Sequence, residues 1–215
     1  MSKIKQYEEA VALFADGQTI MIGGFLGTGT PESLVDGLVA RGVKNLNIIA
    51  NDTAFPEQGV GKLITNKQAA KVIVSHIGTN PETGRQFNQQ ELDVEFSPQG
   101  TLAERIRCGG SGLGGVLTPT GVGTVVEQGK EKIVRGDKAY LLELPLKADI
   151  ALIKAWRADT VGNLVYRRAA RNFNPLMAMA AEMVIVEAEE IVEAGSLDPD
   201  EIMTPGIFVD MIIRG

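Results

Sequence analysis

Short apolar runs alternate along the chain with stretches whose apolar residues recur at helical spacing. Residues 7–15, Tyr-Glu-Glu-Ala-Val-Ala-Leu-Phe-Ala, predict a helix that Asp16-Gly17 would stop. Thr19-Ile20-Met21-Ile22 is a short apolar run ending in Gly23-Gly24, which suits a buried strand. Thr30-Pro31-Glu32-Ser33 predicts a helix start, with Thr30 as the cap and proline where no hydrogen bond is lost. Leu34, Val35, Leu38 and Val39 give that helix one apolar face, and Gly42 ends it. Residues 46–50 and 71–75 are the next strands, the first opening into Asn51-Asp52-Thr53. Helix and strand therefore alternate, which predicts a largely parallel sheet with helices on its faces. Residues 141–143, 150–153, 183–186 and 207–209 predict later strands, and Asn174-Pro175 opens a helix over 175–182. In residues 84–145 the pattern weakens, and strand–turn pieces there predict a lid or a side sheet. Neither an internal repeat nor a Pro-, Ser- or charge-rich linker interrupts the chain, so a single α/β domain over residues 1–215 is expected.

Composition changes this picture in two ways. The net charge of −6 argues against a nucleic-acid binder, which needs basic surface to displace phosphate counterions. Glycine is the second departure: 25 residues in 215 is about 12%, against a usual ~7%. The excess falls in three runs, Gly23 to Gly29, Gly109 to Gly115 and Gly121 to Gly123. Clusters of this kind mark backbone that turns tightly or lies against a ligand. Cys108 is the one cysteine, which excludes an intramolecular disulfide. The N-terminus lacks a signal-peptide pattern and no run of ~18 apolar residues occurs, so the expected location is the cytoplasm, off the membrane.

Three segments could carry chemistry. Gly23-Gly24-Phe25-Leu26-Gly27-Thr28-Gly29-Thr30-Pro31 joins a strand to a helix, where open α/β sheets bind ligands and a helix N-terminus favours anions. Its glycines would let backbone amides approach a phosphate; otherwise it is a tight strand–helix turn. Gly27-Thr28-Gly29 lacks the third glycine of the dinucleotide motif, and the Gly-Lys-Ser/Thr string of a triphosphate loop is absent. Ser97-Pro98-Gln99-Gly100-Thr101 offers Gln99 as a donor to an oxyanion, or is a polar turn before a short helix. Asn51-Asp52 follows a strand at the ligand-binding edge of such a sheet, although a simple Asx turn would explain it. Cys108 reads as a small buried hydrophobe, and nothing pairs it with His76; no His/Cys cluster would hold a metal.

These segments together resemble the alpha subunits of family I CoA-transferases. The likeness is carried by Asp16-Gly17-Gln18-Thr19-Ile20-Met21-Ile22-Gly23-Gly24-Phe25 with Gly27 and Thr30-Pro31. It continues through Asn51-Asp52-Thr53, Ser97-Pro98-Gln99-Gly100-Thr101-Leu102, Gly109-Gly110-Ser111-Gly112 and residues 118–124. Ala170-Arg171-Asn172-Phe173-Asn174-Pro175 and Thr204-Pro205-Gly206 extend it across the chain. The resemblance implies a CoA-transferase-like fold, a mixed and largely parallel sheet between helices. It also implies ping-pong transfer of CoA from a short-chain acyl-CoA to a free acid such as acetate, butyrate or acetoacetate, with CoA as substrate and no tightly bound cofactor.

In the family, a glutamate nucleophile lies in a Ser-Glu-Asn-Gly motif of the beta subunit, and no Glu here precedes Asn-Gly. A beta partner is therefore implied, as an α₂β₂ assembly or a simple αβ pair. Gly24 to Thr30 match the family's CoA-contacting loop, Gln99 a glutamine near the oxyanion, and Asn51 a site-lining asparagine. The alternative is a non-catalytic regulatory protein sensing CoA or a sugar phosphate on the same fold. Such regulators usually add a DNA-binding helix–turn–helix, for which the chain has no room.

Overall fold

A computed structural model describes residues 2–215. In chain order the helices are α1 (Tyr7–Val11), α2 (Glu32–Arg41), α3 (Val60–Thr65), α4 (Pro81–Asn88), α5 (Gln99–Gly110) and α6 (Asn174–Ala178). The strands are β1 (Thr19–Ile22), β2 (Leu46–Ile49), β3 (Ala69–Val74), β4 (Asp93–Phe96), β5 (Val116–Thr118), β6 (Lys132–Arg135), β7 (Lys138–Glu143), β8 (Ala148–Asp159), β9 (Leu164–Val165), β10 (Ala181–Val192) and β11 (Met211–Arg214). The main sheet runs β11-β10-β8-β1-β2-β3-β4 with every neighbouring pair parallel, and β9 adds one antiparallel pairing to β8. This is the expected mixed, largely parallel α/β arrangement.

Period-two alternation divides the core between the faces of the sheet. Ile20 and Ile22 of β1 pack with Leu34, Val35 and Leu38 of α2 and with Phe14, Leu63 and Ile64. Met21 points the other way, among Leu102 and Ile106 of α5 and Met177 of α6. Both faces of the central strands are covered, which explains their uninterrupted apolar runs.

The pattern between residues 84 and 145 resolves into two parts. Its first part completes the main sheet with β4 and covers one face with α5; its last part forms the separate antiparallel sheet β5-β7-β6. A chain of charges fastens that side sheet to the main one. Arg105 of α5 donates to Glu95 of β4 at 2.7 Å and to the Leu144 carbonyl at 2.9 Å, and Glu143 of β7, 1% exposed, accepts from Lys130 at 2.6 Å.

Two predicted elements differ. Ile207-Phe208-Val209 is not a strand: Gly206–Phe208 form a 3-10 turn, and the edge strand is β11. The helix opened by Asn174-Pro175 ends at Ala178, because Ala181 already pairs with Ala148 in the sheet. Asn80-Pro81-Glu82-Thr83-Gly84 caps and starts α4: the Asn80 side chain accepts from the amides of Glu82 and Thr83.

The start of α2 is also capped differently than expected. Thr30 accepts no capping hydrogen bond, and the N-cap position is Pro31. Instead the carboxylate of Glu187 on β10 accepts from Ser33 N at 2.8 Å and from Leu34 N at 3.3 Å. Glu187 is 3% exposed, and Lys154 lies 3.7 Å from its other oxygen. Burial pushes its pKa up; the Lys154 charge and the two amides pull the other way and do not offset it.

Replacing Glu187 with Ala strands two buried amides and a lysine, so urea unfolding should show a loss of roughly 3 kcal/mol. Glu187→Gln tests the charge. A carboxyl whose folded pKa is raised contributes stability in acid and loses it as pH rises through that pKa. The wild-type advantage over Glu187→Gln should therefore be largest below the usual carboxylate range and shrink toward neutrality.

Candidate functional site

Strands β1, β2, β3 and β4 are parallel, so their carboxyl ends open on one edge of the sheet. A cleft of about 340 Å³ lies there, lined by Phe25, Leu26, Asn51, Asp52, Ser75, His76 and Gln99. Four of the residues singled out by sequence, Phe25, Leu26, Asn51 and Gln99, meet in it. The chain turns back after β4 to build β8 on the other side of β1, so the loop after β1 leaves the sheet at its topological switch point.

That loop is held by its own backbone and by distant side chains. Phe25 and Thr28 exchange amide–carbonyl hydrogen bonds at 3.0 and 2.9 Å, and Thr30 N donates to Gly27 O at 3.3 Å. Gly24 N donates to the Asn172 side chain at 3.2 Å and Leu26 N to the Asp52 carboxylate at 3.0 Å. Asn172 also donates to Thr28 O at 2.9 Å, and Asn174 to Gly29 O at 3.0 Å. Five of the seven amides from Gly24 to Thr30 are thereby engaged, and only those of Gly27 and Gly29 lack a partner among the described residues.

The glycines serve packing as well as access. A Cβ on Gly23 would fall 1.8 Å from Asn174 Oδ1, and one on Gly29 would fall 2.6 Å from the Ala170 carbonyl. Gly27, at φ +83°, meets only the flexible end of Gln58 at 3.2 Å. Leu26 itself holds φ +47°, a left-handed conformation costly for a branched side chain, fixed by its bond to Asp52.

Asn51 is 2% exposed and its amide is committed: it donates to Asp52 at 2.7 Å and accepts from Ser75 at 3.1 Å. Asp52 accepts from Ala54 N at 2.7 Å, so the Asx turn is real and at the same time supports the loop. Gln99 is the first residue of α5, exposed, with no side-chain hydrogen bond among the described residues. Its amide is the one polar group of the cleft that sequence singled out and that stands free.

Cys108 is buried near the far end of α5, about 13 Å along the helix axis from Gln99. The adjacent Gly109 and Gly110 line a different cavity with Thr19 and Asp149, at the amino ends of the strands. His76 lies in the cleft, so the two do not form a nucleophile–base pair. Among the described residues no group of His, Cys, Asp or Glu could hold a metal ion, and no helix is long and apolar enough to cross a membrane.

Sequence reasoning found the Asx turn at Asp52 but missed its hold on the loop, and missed the roles of Asn172, Asn174 and Glu187. Asn172 and Asn174 belong to a quoted motif, but their partners lie 148 and 145 residues away.

This fold is that of the coenzyme A transferases. The family model described as Coenzyme A transferase matches residues 4–215, and the chain belongs to that family. It is 58% identical over 212 residues to the acetate CoA-transferase subunit alpha of Escherichia coli K12, covering 99% of this chain and 96% of that one. It is 56% identical over 213 residues to the acetoacetyl-CoA:acetate/butyrate CoA transferase alpha subunit of Clostridium acetobutylicum, covering 99% and 98%. In fold it matches the acyl-CoA transferase YdiF of E. coli O157:H7, solved as a thioester complex with CoA, with a TM-score of 0.89 at 21% identity. All of this chain is covered by that match, and it spans 47% of the longer YdiF chain. The relatives lend no support to a regulatory sensor.

Gly29→Ala should cost roughly 1–3 kcal/mol, because its Cβ has no room beside Ala170. Gly29 is thus no clean probe of ligand binding, contrary to what the glycine pattern alone suggests. Gly27→Ala should cost only about 1 kcal/mol, from its left-handed backbone. Thermal unfolding of the two variants gives this order directly.

Proposed function

We propose that this chain is the alpha subunit of a two-chain CoA-transferase that moves CoA between a short-chain acyl-CoA and a free carboxylic acid. The 58% and 56% identities to transferases named for acetate and for acetoacetyl-CoA with acetate or butyrate support that substrate class. CoA enters as a substrate.

The observation that carries the shared-site reading is the state of the one carboxylate in the cleft. Asp52 is 5% exposed and accepts three hydrogen bonds, from Leu26 N, Ala54 N and the Asn51 side chain. A carboxylate so engaged cannot swing onto a thioester carbon. Glu57, one candidate in a glycine-bearing turn, is exposed outside the cleft, while Glu127 and Glu82 are tied to Lys132 and Arg85. A beta subunit would supply the nucleophilic glutamate.

That glutamate attacks the acyl carbon, the C–S bond breaks and CoA leaves as thiolate, giving an acyl-glutamyl anhydride. The thiolate attacks the glutamyl carbonyl, releases the first acid and forms a glutamyl-CoA thioester; the acceptor acid reverses both steps. An anhydride retains the acyl group's activation, which hydrolysis would dissipate. Each attack passes through a tetrahedral oxyanion, toward which Gln99 can turn its free N–H. Gly27 and Gly29 offer the loop's remaining amides to CoA.

Each chain alone, and then the mixture, should be incubated with acyl-CoA and the intermediate trapped with hydroxylamine. Turnover should appear only in the mixture, with the modified glutamate in the beta chain; a modified glutamate here, or turnover by this chain alone, would refute the shared site. Mass measurement of the complex should give α₂β₂. In that complex Gln99→Ala should lower kcat by ~10²–10³, while Cys108→Ser, remote from the cleft, should leave kcat within a few-fold.

A further inference from the structure

The glycine loop offers CoA less than its sequence suggests. Two of its amides are free, and the N-terminus of α2 is already occupied by the chain's own Glu187 carboxylate. The cleft contains Asp52 and His76 and no lysine or arginine. CoA brings a diphosphate and a 3′-phosphate, which a chain of net charge −6 would repel in the absence of a local cationic site.

A segment rich in arginine adjoins the loop. Arg167, Arg168 and Arg171 lie within five residues on the segment that leads into Asn172 and Asn174. All three are exposed and form no ion pair among the described residues, whereas the neighbouring Arg157 is paired with Glu201 at 3.1 Å. The Arg167 guanidinium stands 5.5 Å from the centre of the Trp156 ring, which has Arg157 at 4.3 Å. Arg168 holds φ +53°, a conformation an arginine in an ordinary surface turn would avoid. Ala170, between Arg168 and Arg171, packs directly on Gly29, and Asn172 holds Gly24 and Thr28. The segment that carries the unpaired guanidiniums is therefore hydrogen-bonded, through Asn172 and Asn174, to the loop that carries the unpaired Gly29 amide.

We infer that Arg168 and Arg171, with Arg167 braced on Trp156, form the subsite for the phosphates of CoA. The inference rests on the transferase reading above. Guanidinium suits this role because its planar fork donates two parallel hydrogen bonds to one phosphate and keeps its charge at any working pH. The loop then grips the thioester end of the substrate, and the arginine segment fixes the other end in register with it.

The test uses the complex with its beta subunit and two donors of one acyl group: acyl-CoA, and acyl-pantetheine, which lacks all the phosphates. In Arg168→Gln/Arg171→Gln the preference for acyl-CoA, as a ratio of kcat/KM values, should fall at least about tenfold, with most of the change in KM. Arg168→Lys/Arg171→Lys should recover part of the preference, because charge remains while the fork is lost. Raising salt should erode the preference in the wild type and less in the Gln variant. An unchanged preference in a folded, assembled Gln variant overturns the inference. Failure of that variant to co-elute with the beta subunit also overturns it, assigning the arginines to an acidic surface of the partner. A wild-type complex that transfers nothing sinks the transferase reading and this subsite with it, an outcome distinct from a transferring complex whose preference does not move.

Discussion

Asn172 and Asn174 hold the loop after β1 from a segment nearly 150 residues later in the chain, and Asp52 holds it from the end of the neighbouring strand. The rest of the site depends on this constraint. A loop with four glycines between Gly23 and Gly29 would otherwise sample many backbone states, since glycine loses the most freedom on ordering. The side-chain amides remove that freedom by bonding to its N–H and C=O groups one by one. Their cost to the loop is chemical, because the amides so used are no longer available to a ligand.

Glu187 acts in the same way one turn further on. The N-terminus of α2 carries unsatisfied donors and a partial positive charge, and in many α/β proteins a phosphate meets them. Here a buried carboxylate from β10 does so, which ties the helix to the opposite half of the sheet. The anion site suggested by a strand–glycine–helix pattern is therefore filled from within. On the inferred reading, cationic side chains supply what the backbone does not, and the three arginines stand on the segment that clamps the loop.

The legible parts of the fold were those set by local pattern. Ile20 to Ile22, Ile48-Ile49 and Ile150 to Ile153 announce buried parallel strands because both sheet faces are covered, and Gly42 ends α2 in the left-handed conformation its position demands. Weak local signals failed where a distant partner decides. Residues 207–209 are as apolar as any strand, yet the chain turns there and pairs four residues later. Gln99, Asn51 and Phe25 were found because strand ends gather on one edge. The division of labour between Asn51, which is locked, and Gln99, which is free, depends on Ser75 and Asp52 and has no signature in the local sequence.

On the proposed reading, Gln99 and Asp52 meet two chemical demands that conflict within one chain. An oxyanion donor works best when its position is fixed before the reaction, and Gln99 begins a twelve-residue helix whose Leu102 and Ile106 are fully buried. A carboxylate nucleophile needs the opposite: an unengaged oxygen that forms an anhydride, then a thioester, then is released. Within one cleft the same hydrogen bonds that order the loop immobilise the nearest carboxylate, Asp52. A nucleophile on a partner, as proposed, would separate the two demands. One surface would then keep an ordered loop with Gln99 on a fixed helix, and the other a mobile carboxylate.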